Sequence, residues 1–135
     1  MKPWSEMRVL AGVITTGLGA CTPETQPSGA ALYRQNCGAC HGKTGAGDGP
    51  LAADLPVRPA NLRLLASGND GVFPTERVMK SIHGYRGKDY VGLMPEFGPV
   101  LDSPTVIWVA PDGREIPTPS ALVALVAYLE TLQDL

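Results

Sequence analysis

Cys37-Gly38-Ala39-Cys40-His41 decides how the rest of the chain is read. Its two thiols stand three positions apart, close enough to share one helical turn, and an imidazole follows at once. This is the pattern of a c-type haem attachment site. The thiols reach the two vinyl groups of the porphyrin and form two thioether bonds, and the histidine lies under the ring as proximal iron ligand. With 3 Cys and 2 His in 135 residues, the pattern arises by chance about once in a thousand such chains. A thioredoxin-type redox pair needs a βαβ context, which the residues around Cys37 do not supply. A structural zinc site needs two more ligands at short spacing, and Cys21 and His83 are remote.

The length and a hydrophobic content of 44% predict one small domain with one core. A formal charge of −2 gives no basic excess to bind nucleic acid. Sixteen glycines and 13 prolines predict a loop-rich fold whose turns wrap a cofactor. Residues 1–20 stand outside that fold. Lys2 and Arg8 precede an apolar run, Val9 to Leu18, that is too short to span a bilayer and fits the core of a secretory signal. The run ends in Leu18-Gly19-Ala20-Cys21, which resembles the lipobox of bacterial lipoproteins. That resemblance implies cleavage before Cys21 and a lipid on its thiol, which would also account for the odd cysteine. Taking Lys2, Glu6 and Arg8 from 11 basic and 13 acidic residues leaves 9 and 12, a mature charge of −3. An acyl anchor would hold the protein on a membrane surface without spanning it.

Residues 21–28, with Pro23 and Pro27, read as a stiff tether, and residues 29–135 as the domain. Ala30 to Cys37 is a helical segment, with Tyr33 as a packing residue. After His41 come four glycines in nine residues, Gly42 to Pro50, without the strand and GK[ST] of a phosphate loop. Such glycines let the backbone run against a flat ring at positive φ. Asn61 to Ala66 is expected as a short helix packing Leu62 and Leu65 inward, and Gly68 to Gly71 as a loop. Pro74-Thr75-Glu76 opens a helix that carries Val78, Met79 and Ile82 on one stripe and ends at Gly84. Arg58 and Arg63 are candidates to face a haem propionate, with a solvated surface role as the alternative for each.

Cys37 to Gly42, then Gly45-Ala46-Gly47-Asp48-Gly49-Pro50, then Arg58-Pro59-Ala60-Asn61-Leu62 together resemble the bacterial class I cytochrome c domain. The resemblance implies a mainly α fold in which short helices wrap one covalent haem c. It also implies that a proline after the haem histidine turns its carbonyl to the proximal imidazole. Pro50 matches that position, which makes its C=O the expected acceptor for His41 Nδ1–H. The same family attaches its haem outside the cytoplasm, so a periplasmic or other extracytoplasmic, membrane-anchored protein is expected.

Three side chains compete to be the sixth iron ligand. Met79 sits on a helix stripe, where core packing accounts for it. His83 ends a helix before Gly84, where a solvated cap is common, although a second histidine would give a bis-imidazole site. Met94, followed by Pro95, lies in a loop that can bend a thioether toward iron, and soft sulfur favours Fe(II). This Met-Pro pair, 53 residues after His41, matches the distal-ligand loop of the family.

Residues 100–119 form an insertion relative to simple members of that family. Within it Thr105 to Val109 and Arg114 to Ile116, joined by Pro111-Asp112-Gly113, predict a small β-hairpin. Ile107 and Trp108 should face opposite sides, so the hairpin reads as a lid over the core or as a partner-docking surface. A last helix follows, with Thr118 as N-cap and a stripe of Leu122, Leu125, Val126, Leu129 and Leu132. By family resemblance it crosses the first helix with Tyr33 against Tyr128. Glu130 and Asp134 read as a solvated face. The expected function is single-electron transfer between redox partner proteins, without enzymatic chemistry. The alternatives are a haem subunit of a larger complex, and a ligand-binding or peroxidase-like haem protein with an open sixth position.

Overall fold

A computed structural model describes residues 26–84 and 93–134 of the chain. The expected leader, Cys21 and the expected tether as far as residue 25 lie outside the described residues, as do 85–92 and 135.

Among the described residues, four α-helices and one hairpin, with short 3-10 turns between them, make up the regular structure: α1 Gly29–Asn36, α2 Gly38–His41, α3 Thr75–His83, β1 Thr105–Val109, β2 Glu115–Pro119 and α4 Ser120–Thr131. Ser28 begins α1, its hydroxyl accepting from Ala31 N at 3.3 Å and so satisfying one of the donors every helix start leaves open. Its last turn closes on Cys37, whose φ of −114° bends the chain directly into α2. The first and last helices pack on each other. Leu32 and Tyr33 are buried from one side, and Leu122, Leu125, Val126 and Leu129 from the other. Tyr33 and Tyr128 meet with ring centroids 5.4 Å apart at 52°, the tilted arrangement aromatic quadrupoles favour. Burying each of these leucines is worth roughly 1.5–3 kcal/mol, so this crossing outweighs any surface contact in the molecule. Gly29 is required there: a Cβ on it would run into the backbone of Ala124 in α4.

The expected α3 is present, with Val78, Met79 and Ile82 buried and Gly84 ending it at φ +90°. Its 5% exposure and core neighbours place Met79 as packing. Three expectations are corrected. The segment from Asn61 is a single 3-10 turn, Leu62–Leu64: Asn61 Oδ1 caps its start by accepting from Arg63 N, but Ala66 N and Leu62 O, which a continuing α-helix would join, bond instead to the Gln133 amide. Residues Ser67–Asn69 likewise form a 3-10 turn before the left-handed Asp70. Thr118 is not the cap of α4: it pairs with Val106 inside β2 and its hydroxyl donates to Ile116 O. The cap comes from elsewhere in the chain. Ser103 Oγ accepts from Ala121 N at 3.0 Å, and Pro104 O takes Ser120 N.

The hairpin pairs Thr105 with Pro119 through Val109 with Glu115, so β2 runs three residues past Ile116, where the sequence placed its end. Trp108 packs against the core while Ile107 and Val109, 56% and 58% exposed, face outward. The inner face is therefore a lid, held at its tip by charge. Arg114 Nη2 donates to Glu76 Oε2 at 2.7 Å and Arg114 Nε to Asp112 Oδ2 at 2.6 Å. Lys80 pairs with the other oxygen of Glu76. Lys80 and Arg114 hold the Glu76 carboxyl below its ordinary value, and Arg114 does the same to Asp112.

Carboxyls that bind protons less tightly when folded contribute above their unfolded pKa values and lose that contribution as pH falls. The hairpin tip should thus be fastened above about pH 5 and loosen below it. Hydrogen exchange at the β1 and β2 amides, corrected for the intrinsic rate, should rise on acidification ahead of exchange in α4. Arg114→Met should remove that pH dependence.

Candidate haem-attachment site

Cys37 and Cys40 lie at the start and within the single turn of α2, and His41 ends it. Backbone bonds from Cys40 N and His41 N to Cys37 O, at 3.2 and 2.9 Å, hold the turn. Neither thiol is in a disulfide. Burial, and then the neighbouring Cys40, push the Cys37 thiol up to about 11, so it is protonated at neutral pH. Tyr33 fastens this turn to the helix crossing: its hydroxyl donates to Gly42 O at 2.7 Å. Burial pushes that phenol up to about 12. Leaving Gly42 O without its donor would cost roughly 1–3 kcal/mol. The sequence marked Tyr33 as a packing residue only; nothing in its spacing revealed the hydroxyl's partner.

The glycine-rich segment folds back under the turn. Gly47 N donates to His41 O, Gly49 N to Cys40 O and Leu51 N to Ala39 O. A Cβ on Gly49 would collide with Ala39 O, and one on Gly47 with Pro59 O. Gly47 also sits at φ +74°, which side chains disfavour. The glycines therefore serve close approach between backbone segments.

His41 Nδ1 stands 3.0 Å from Ala60 O. This corrects the expectation for Pro50, which lies exposed at the turn where the chain doubles back toward Ala39. The carbonyl beside His41 comes ten residues later, because Gly47 lets the Pro59-Ala60 strand of the loop pass directly beneath the imidazole. A carbonyl accepts and cannot donate, so Nδ1 carries the proton in this bond and the Nε2 lone pair is left for a metal. Two thiols on one turn and an imidazole with Nε2 available are the donor set a covalent haem requires. The residues present fit that group.

Arg58 Nε donates to Gly47 O at 3.2 Å. Arg63 forks onto Asp134 Oδ1, with Nε and Nη2 at 3.1 and 2.7 Å, so Asp134 is paired rather than simply solvated. Met94 is half-buried and packs against the core cluster. His83, at the end of α3, has its ring against Gly98, where a Cβ would lie 3.0 Å from Cε1. Among the described residues no group of three or more His, Cys, Asp or Glu gathers to hold a bare metal ion. No helix among them is long and apolar enough to cross a membrane.

The model of one protein family, described as cytochrome C oxidase, cbb3-type, subunit III, matches residues 24–111. No curated protein and no solved structure matches the chain.

Gly47→Ala tests the close approach. Left-handed strain plus displacement of Pro59 should lower stability by roughly 1–3 kcal/mol, measured by denaturant unfolding. It should also reduce the fraction of chains that retain haem.

Proposed function

We propose, since the chain belongs to the cytochrome c oxidase, cbb3-type, subunit III family, that it carries single electrons on one haem c with His41 and Met94 as axial ligands. As a c-type cytochrome it has a haem-based role in electron transfer, and covalently bound haem c comes with the family. When bound, the haem supplies a one-electron Fe(III)/Fe(II) couple. The chain's residues do the rest. Cys37 and Cys40 would fasten the group through thioether links. His41 offers Nε2 in a tautomer held by Ala60, and the bond to that carbonyl makes the imidazole a better donor. Met94 offers a soft thioether from a half-buried loop. The observation that carries this reading is the His41–Ala60 bond on a turn bearing both thiols. If His41 and Met94 both held the iron, it would change oxidation state with little rearrangement and leave no position open for a substrate. That favours a carrier over a ligand-binding or peroxidase-like protein.

Cytochrome c domains are typically extracytoplasmic. The signal-like residues 1–20 and Cys21 support a lipoprotein anchored on the outer side of a membrane, exchanging electrons with donor and acceptor proteins there. A fixed place in a larger redox complex is the second reading. It is favoured by the apolar outer face of the hairpin, Ile107 and Val109.

Two substitutions test the reading. In the haem-loaded protein Met94→Ala should abolish the sulfur-to-iron charge-transfer band and lower the midpoint potential. An unchanged spectrum would transfer the distal role to His83 or Met79. Cys21→Ser should release the protein from membranes into the soluble fraction on cell fractionation, and continued membrane association would count against the anchor.

A further inference from the structure

The last residues of the chain reach back to the segment that supplies the His41 acceptor. Gln133 Nε2 donates to Leu62 O and to Leu129 O, each at 2.8 Å. Its Oε1 accepts from Ala66 N at 2.9 Å. Beside it Asp134 N donates to Arg63 O at 2.9 Å. A primary amide carries two donor hydrogens and an acceptor at one tip, so it can satisfy two carbonyls and an N–H together. Gln133 does this in a half-buried position and ties α4 to both ends of the 62–66 segment. From the opposite side Leu62 N donates to Gly45 O at 2.7 Å. Ala60, two residues before Leu62, is thereby held between the glycine loop and the C-terminus.

We propose that Gln133 is a positioning residue for the proximal histidine: by fixing Leu62 and Ala66 it keeps the Ala60 carbonyl on His41 Nδ1 and so sets the potential of the iron. The proposal rests on His41 being the proximal ligand. A hydrogen bond from Nδ1 makes the imidazole a stronger donor, which favours Fe(III). Loosening it raises the potential. The Arg63–Asp134 ion pair is exposed, at 38% and 46% for the two side chains, and such pairs contribute little. The amide, rather than the charge, does the holding.

The test uses the full-length, haem-loaded protein and two readouts: midpoint potential and NMR exchange of the His41 Nδ1 proton. Gln133→Met, similar in volume but without donors, should raise the potential, giving a several-fold larger reduced-to-oxidised ratio at the wild-type midpoint, and speed that exchange. Gln133→Leu, which loses the donors and the acceptor without adding a charge, should move both readouts the same way, and it decides the matter if Gln133→Met does not accumulate. Asp134→Asn should leave both at wild-type values. Wild-type potential and exchange in the Gln133 variants would overturn the proposal, as would an equal shift in Asp134→Asn. Failure of the underlying reading looks different: His41→Ala would then keep the wild-type haem spectrum.

Discussion

A carbonyl oxygen accepts hydrogen bonds and never donates one, and that constraint places the proton of His41. With Ala60 O at 3.0 Å from Nδ1, the imidazole is committed to one tautomer and its other nitrogen is free to bind iron. Much of the molecule serves to bring these two atoms together. Gly47 allows the Pro59-Ala60 segment to pass at backbone contact. Arg58 ties that segment to Gly47 O, and the C-terminal residues tie its continuation to α4.

The other half of the arrangement is the crossing of α1 and α4. Its apolar core is worth far more than the exposed ion pairs, so it sets where the Cys37–His41 turn stands. Tyr33 joins the two functions. Its ring packs on Tyr128 in the crossing, and its hydroxyl holds Gly42, the residue that ends the turn. The hairpin adds a cover, Trp108 inward and Ile107 outward, fastened to α3 through Arg114 and Glu76.

What could be read from the sequence was whatever a local pattern encodes. The thiol spacing, the apolar stripes of α3 and α4 and strand β1 depend on residue type at fixed intervals, and the structure has them; the Tyr33–Tyr128 contact was implied by the family resemblance and is present too. What escaped was set by partners distant in the chain. The acceptor for His41 is a backbone carbonyl, which any residue possesses, so no residue type announced Ala60 in place of Pro50. The cap of α4 comes from Ser103, 18 positions before Ala121, while Thr118, a good cap by local rules, was claimed by the β1–β2 ladder. Gln133 was silent for the same reason, because two of its three partners are main-chain groups about 70 residues away.

Everything in this arrangement turns on one haem being bound covalently by Cys37 and Cys40. Intact mass spectrometry under denaturing conditions, on protein matured in a host that attaches c-type haem, tests it most directly. The account predicts the mature chain plus the mass of one haem, with Cys37 and Cys40 as the modified residues on peptide mapping. A chain of unmodified mass, or haem that separates on denaturation, would contradict it.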